Sequence, residues 1–359
     1  MRSRDNPHSP TRIVVAMSGG VDSSVVAALL HEQGHEVIGV TLQLYDHGAA
    51  VGRKGACCAG QDIDDARRVA ERIGIPHYVI DAEARFRDAV IKPFADSYAA
   101  GETPVPCIAC NQSVKFTDLV QLSQDLGAAF LATGHYVRRI EGPAGPELHR
   151  AVDATRDQSW FLFATTSAQL AQCLFPLGAY PSKDAVRAEA IRLGLEVAAK
   201  PDSQDICFVP QGSYADVVAK FRPDAMRTGE IVDQAGAVLA THDGIARYTI
   251  GQARRLGPAQ SSETRRVVIG LDPATNRVVV GPPKPESREI RLRDVNWLIP
   301  PASFACTVKL RSGEQPREAV VTNGETVTVT LAEPARAAPG QACVFYQGDR
   351  ILGGGFITA

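Results

Sequence analysis

Three cysteines carry the thiol chemistry this chain can offer. Cys107 and Cys110 form a CxxC within TPVPCIACNQSVKF, which begins at Thr103, and Cys207 lies in KPDSQDICF, which begins at Lys200. A thiolate is a strong nucleophile and a soft metal ligand. The CxxC therefore reads as a redox pair, half a metal site, or part of a cluster site that takes a third ligand from elsewhere. Cys57 and Cys58 add an adjacent, unassigned pair. Cys173, Cys306 and Cys343 lie in apolar surroundings and read as small core residues.

A second chemical signal is the run Ser18-Gly19-Gly20-Val21-Asp22-Ser23-Ser24. Glycines let backbone N–H groups approach an anion closely, and a following helix adds the partial positive charge of its N-terminus, so the loop suits phosphate or pyrophosphate. Ser18, Ser23 and Ser24 supply hydroxyls, whereas Asp22 is suited to hold Mg²⁺ against the phosphates. The plainer reading is a glycine turn with Ser23 as helix N-cap. The run lacks the lysine of a Walker A loop and the spacing of a dinucleotide site.

The elements around the loop are those of an α/β sheet. Arg12 to Met17 reads as an apolar strand, Ser23 to Gln33 as a helix ended by Gly34, and Glu36 to Leu42 as a strand. The pattern repeats with a helix from Asp62 to Ile73 closed by Gly74 and strands at His77 to Ile80 and Ala129 to Thr133. Beyond Phe208 come short strands between Gly, Pro, Asn and Asp, spaced as in a small antiparallel barrel. The expected fold is α/β: a doubly wound parallel-sheet domain (1–205), a small linking domain (206–272) and a C-terminal antiparallel β-barrel (273–359).

With 359 residues, 45% hydrophobic and 22% charged, the chain is long enough for two or three cores and is neither fibrous nor disordered in composition. Met1 to Pro10 is polar and reads as neither signal peptide nor anchor, so a soluble, cytoplasmic protein is expected. Eight cysteines without a secretory signal argue against a structural disulfide framework. A net charge of −2 gives no overall attraction to a polyanion, so any RNA site must be local. The one basic run sets Arg247, Arg254, Arg255, Arg265 and Arg266 against the single acid Glu263.

The loop SGGVDSS resembles that of the PP-loop ATP pyrophosphatases, and over nearly its full length the chain resembles the tRNA-specific 2-thiouridylases. The further matching stretches are ATGHYVRR at Ala132, DQSWFLF at Asp157, LFPLG at Leu174, YTIGQARRLG at Tyr248, and PGQACVFY with LGGG near the end, besides the two cysteine stretches. The resemblance implies ATP-dependent 2-thiolation of the wobble uridine of tRNAs for Lys, Glu and Gln. O2 of the base is adenylated and replaced by sulfur that arrives from a cysteine desulfurase or a sulfur-relay protein. Another PP-loop thiolase, an amidotransferase-type ligase, or a nonenzymatic nucleotide sensor are the other readings of the loop.

By the same resemblance, ATP is held by Ala16, Met17, Ser18, Gly19, Gly20, Val21, Asp22 and Ser23, with Leu42 and Gly134. Cys207 carries a persulfide, and Cys110 is the nucleophile that releases its sulfur and closes a transient disulfide bond. His135, Arg156, Asp157, Gln158, Arg311, Ser312 and Gln341 contact tRNA, although Ser312 replaces an aromatic residue; by itself His135 reads as a catalytic base or, in preference, as a satisfied strand-end histidine. Cys107 stands where the family pattern has Asp, a proposed base, so base catalysis from that position is not implied. With Cys107, Cys110 and Cys207 together, a 4Fe-4S cluster on three thiolates is the alternative to the persulfide route.

Overall fold

The structure, a computed structural model, describes residues 10–44, 58–202, 206–209, 213–260, 266–283 and 285–358. Cys57, Glu263 and Arg265 lie outside the described residues. Strand β1 (Arg12–Ala16) is buried through its middle and flanked by parallel β2 (Glu36–Gln43) and β4 (Phe130–Ala132). With β3 (His77–Asp81) and β7 (Cys173–Leu174) they form one parallel sheet in the order β3-β2-β1-β4-β7. Alternation of side chains along β1 sends Ile13 and Val15 into one core and Val14 into another, on opposite faces of the sheet. A strand covered on both faces must be apolar throughout, which is why the run Ile13-Val14-Val15 was readable.

Helix α1 (Val21–Glu32) leaves β1 through the glycine loop and is buried almost all round. Helix α2 (Cys58–Ile73) flanks it, and both end at left-handed glycines, Gly34 and Gly74, as the sequence implied. The region between β3 and β4 is helical. A short α-helix (Pro106–Ala109), a widened π-helical stretch (Cys110–Asp118) and a further α-helix (Leu119–Asp125) follow one another as a single rod.

Two β units complete the molecule. The first is a four-stranded sheet in the order β10-β11-β8-β9, made of β8 (Gly229–Val232), β9 (Val238–His242), β10 (Val267–Asp272) and β11 (Arg277–Gly281). The boundary expected at residue 272 falls inside it: β11 pairs with β10 and β8, not with the barrel. The second is a closed antiparallel barrel of β12 (Ser287–Trp297), β13 (Phe304–Lys309), β14 (Arg317–Thr322), β15 (Val327–Ala335), β16 (Ala342–Gln347) and β17 (Arg350–Ile357), closed by pairing of β12 with β17.

The hairpin β5 (Val137–Gly142) and β6 (Gly145–Arg150), absent from the sequence reading, belongs to the first domain by chain order yet extends the barrel's sheet through His149 opposite Arg350. Arg150 N donates to Asp349 O at 2.8 Å, and Trp160, Leu162 and Phe163 share a core with Val344, Tyr346 and Ile351 of the barrel. The barrel is thus mounted on the α/β domain by both backbone pairing and apolar packing. No helix among the described residues is long and apolar enough to cross a membrane.

Gly178 packs so closely under β5 that a Cβ there would lie 1.8 Å from Val137 O. Gly178→Ala should therefore displace the hairpin and lower unfolding stability by about 2–4 kcal/mol, measured as a shifted midpoint in urea denaturation.

Candidate functional site

One cleft gathers the residues singled out from the sequence. Its cavity, about 530 Å³, is lined by Ala16, Met17, Ser18, Gly20, Val21, Asp22 and Ser23 of the loop, by Leu42 and Gly134 at the ends of β2 and β4, and by Cys107, Cys110 and Cys207. The loop and the strand ends lie at the carboxyl edge of the parallel sheet, where open α/β sheets bind ligands.

The loop is built for an anion rather than as a closed turn. Gly20 occupies the N-cap position of α1 and no side chain caps it, so Ser23 is not the N-cap of the plainer reading. Ser23 instead lies inside the first turn, where its Oγ accepts from Ser18 N at 3.1 Å. The first N–H groups of α1 thus keep their hydrogen-bonding capacity beside the cavity. Gly19 is left-handed (φ +73°), and a Cβ there would sit 2.0 Å from Asp62 O, so only glycine lets the loop pass α2 this closely.

Two lysines that the sequence reading left out brace this loop. Lys183, its side chain only 8% exposed, donates to both Asp22 oxygens at 2.7 Å and pairs with Asp202 at 3.0 Å. Tyr136 OH also donates to Asp22, at 2.6 Å. Burial and this hydrogen bond raise the Tyr136 phenol well above its ordinary range. Lys200 donates to Gly19 O at 3.0 Å, to Asp62 at 2.6 Å and to Asp65 at 2.5 Å, so one ammonium joins the loop to α2. Burial opposes ionisation of Asp202, but Lys183 and Arg156 hold its carboxyl below the usual range.

The cysteines form the cleft's other wall. Cys110 is buried in the core that the α/β domain shares with the linking unit, among Phe86, Phe94, Val114 and Phe208. Cys107 and Cys207 are each open to solvent on one side. All three thiols nevertheless have raised pKa values because the surrounding protein disfavours the anion. Cys207 is pushed up to about 12, by burial first and then by Cys110, while Lys115 acts in the opposite direction on all three. Cys107, Cys110, Cys173, Cys207, Cys306 and Cys343 are present as thiols.

No group of three or more His, Cys, Asp or Glu side chains among the described residues comes together closely enough to hold a metal. The three-thiolate cluster at Cys107, Cys110 and Cys207, the alternative to the persulfide route, is therefore not assembled in this arrangement. A Mg²⁺ ion is less demanding, since one or two carboxylates suffice when phosphates and water complete its shell. Asp22 lines the cavity beside the loop and fits that requirement, sharing its oxygens with Lys183.

The residues expected to contact tRNA separate into three groups. His135, Arg156 and Gln158 line the cleft. His135 is held by Thr133 Oγ1 at 2.8 Å and stacks near Phe116, and burial, then Lys115, lower its pKa to about 3. Arg156 pairs with Asp202 at 2.8 Å, and Gln158 Oε1 accepts from Tyr136 N at 2.8 Å. Arg311, Ser312 and Gln341 are on the barrel and do not line the cleft; Gln341 Nε2 donates to Thr103 O at 2.8 Å and so ties the barrel to the segment leading into Cys107. In the basic run, Arg247, Arg254 and Arg255 are exposed, while Arg266 donates to Ala259 O at 2.9 Å.

Asp157 behaves differently. Its side chain is 3% exposed and accepts from Arg150 Nε at 3.1 Å, from the Ala151 and Ser159 N–H groups at 3.2 Å, and from Ser159 Oγ at 2.9 Å. All these partners are intramolecular, so the tRNA contact expected of Asp157 has no free acceptor to make it.

An uncapped phosphate loop opening on a thiol-lined cleft defines a nucleotide-binding α/β protein of the PP-loop class with a thiol centre. Three family models match in sequence: a tRNA methyl transferase HUP domain over residues 11–211, a tRNA methyl transferase PRC-barrel domain over 215–282, and an aminomethyltransferase beta-barrel domain over 287–357. The tRNA-specific 2-thiouridylase MnmA of Acidiphilium cryptum is 67% identical over 348 residues, covering 96% of this chain and 99% of its own, and that of Gluconobacter oxydans is 62% identical, covering 97% and 99%. The chain belongs to this MnmA family. A solved 4-thiouridine synthetase in complex with RNA and ATP matches 60% of this chain and 51% of its own at 15% identity and a TM-score of 0.36, a distance at which the likeness carries no argument.

Removing the buried Asp157 carboxylate leaves Arg150 and two backbone donors without their acceptor. Asp157→Ala should lower stability by about 3 kcal/mol, and tRNA affinity should fall only as far as the folded fraction does. Thermal unfolding alongside filter binding measures both.

Proposed function

We propose that this chain is an ATP-dependent tRNA 2-thiouridylase, a sulfurtransferase acting on the wobble uridine of tRNAs for Lys, Glu and Gln. The observation that carries this reading is the single cleft with the uncapped loop and α1 on one wall and Cys110 and Cys207 on the other. Activation and substitution of one base atom require both chemistries within reach of that atom.

The loop N–H groups and the start of α1 cradle the ATP phosphates, and Leu42 and Gly134 flank the nucleotide. Mg²⁺, when bound at Asp22, would neutralise phosphate charge. The base O2 attacks the α-phosphorus and pyrophosphate leaves, giving an O2-adenylated uridine. A persulfide on Cys207, loaded by a cysteine desulfurase or relay protein, attacks C2 through its terminal sulfur; the C2–O bond breaks and AMP departs with that oxygen. The Cys110 thiolate then attacks the Cys207 sulfur. The S–S bond breaks toward the base, thiouridine is released, and a Cys110–Cys207 disulfide remains for a dithiol reductant to reopen.

Adenylation needs no thiol and displacement does. Cys207→Ser should thus consume ATP with unmodified tRNA, releasing pyrophosphate, yet form no thiouridine by nucleoside mass spectrometry. Normal thiolation by that variant would remove Cys207 as sulfur carrier. Absence of tRNA-dependent ATP cleavage in the parent would leave a nucleotide-sensing protein as the better reading.

The raised thiol pKa values set the sign of the pH dependence. A thiol is neutral below its pKa and nucleophilic above it, so single-turnover sulfur transfer should climb from pH 6.5 to 9, by up to about tenfold per unit where thiolate formation limits. His135, with a pKa near 3, stays neutral over this range and adds no inflection. A flat profile in rapid-quench kinetics would contradict the assignment.

A further inference from the structure

Among the described residues three cations line the cleft, and two are already committed. Arg156 pairs with Asp202 at 2.8 Å, and Lys200 with Asp62 at 2.6 Å and Asp65 at 2.5 Å. Lys115, half-buried, has no carboxylate partner among the described residues. A partly desolvated ammonium without a counter-ion is unfavourable unless an anion joins it in the working state.

The backbone explains why this cation faces the cleft. In an α-helix the residue one turn beyond Cys110 is Val114, which here is fully buried in the same core as Cys110. The stretch Cys110–Asp118 is instead π-helical, with i to i+5 hydrogen bonds, and the cavity-lining residues along the rod are Pro106, Cys107, Cys110, Lys115 and Leu119. The widened turn advances the lining position from Val114 to Lys115, so the charge comes onto the cysteine wall while Val114 keeps its place in the core. Among the described residues the ammonium is also the one cation that acts on Cys107, Cys110 and Cys207 alike. The phosphate loop, by contrast, has its own donors.

We propose that Lys115 is the counter-ion of the transferred sulfur, a positioning residue that the π turn places against Cys207 and Cys110 to hold anionic sulfur through the exchange. This rests on the sulfur-carrier reading above. Lys115 serves the step in which the anionic terminal sulfur of the Cys207 persulfide bonds to C2 as the C2–O pair leaves with AMP. It also serves the next step, in which the Cys110 thiolate bonds to the Cys207 sulfur and the S–S pair moves onto the thiouridine.

The test compares alkylation of Cys207 by anionic iodoacetate and neutral iodoacetamide in the resting full-length protein, read by peptide mass spectrometry. Both reagents consume the same thiolate, so their rate ratio reports the local charge rather than the extent of ionisation. Lys115→Met and Lys115→Gln should lower the iodoacetate-to-iodoacetamide ratio by about fivefold or more, and Lys115→Arg should retain it. In single turnovers of pre-persulfidated protein, the neutral variants should slow thiouridine formation on the order of tenfold, with tRNA-dependent pyrophosphate release close to the parent's. An unchanged ratio would overturn the proposal, as would pyrophosphate release that falls in step with thiouridine, which would assign Lys115 to the nucleotide. Thiouridine formation by Cys207→Ser would overturn the sulfur-carrier reading beneath it and leave the alkylation ratio unaffected, so the two failures are told apart.

Discussion

Phe208 packs edge-on against Phe86 and Phe94, with ring centroids 5.8 and 5.3 Å away, and this contact determines where its neighbour Cys207 can be. Phe86 and Phe94 come from the helices after β3, and the same core takes in Cys110, Val114 and Ile231, Val268 and Val280 of the linking unit. Aromatic edge-to-face packing of this kind is both apolar and directional. A cysteine attached to it is placed from the backbone outward, and the linking unit is placed with it. Cys110 and Cys207, ninety-seven positions apart in the chain, are therefore brought to one cleft by the packing of their neighbours.

The opposite wall relies on charge rather than packing. Lys183 and Lys200 reach the glycine loop from segments more than 160 residues beyond it, one through Asp22 and one through Gly19 O. A loop that must offer bare N–H groups to an anion cannot use those groups to hold itself in shape. External ammonium groups on its carbonyl and carboxylate oxygens fix its path and leave the donors available. The thiol wall differs in that burial works against ionisation of Cys107, Cys110 and Cys207, and among the described residues one uncommitted cation, Lys115, opposes it.

What was legible in the sequence follows from how local each signal is. The apolar strand Ile13-Val14-Val15, the glycine loop and the helix-ending glycines are encoded within a few neighbouring residues, and they read correctly. Strand β12 did not, because Arg288, Glu289, Arg291, Arg293 and Asp294 leave only Ile290 and Leu292 as its buried apolar positions. The hairpin β5–β6 was hidden for a related reason: its partner is the distant edge of β17, and RRIEG followed by GPELHR has no alternation to announce a core. Lys183 had no local signal at all. It follows the helix cap Ser182, and nothing nearby reveals that its ammonium would meet Asp22. Lys115 was hidden by register, since helical periodicity of 3.6 directs attention to Val114 and only a π turn moves the face by one residue.

The hairpin also bears on how a chain of net charge −2 can handle RNA. Without a strong overall field, binding must come from correctly spaced local contacts, and correct spacing requires that the parts not drift. Pairing of β6 with β17, the Arg138–Asp349 ion pair at 2.9 Å, the Trp160 Nε1 hydrogen bond to Lys309 O at 3.3 Å and the Gln341 tie to Thr103 all cross from the α/β domain to the barrel. Exposed ion pairs alone would hold such a junction weakly; the buried core of Trp160, Leu162, Val344 and Tyr346 beneath them supplies most of the cohesion. The barrel face bearing Arg311 is consequently held at a set distance from the cleft, and a polynucleotide that contacts both must present its reactive base at that distance. On the proposed function, a rigid mount of this kind supplies by geometry the selectivity that net charge does not.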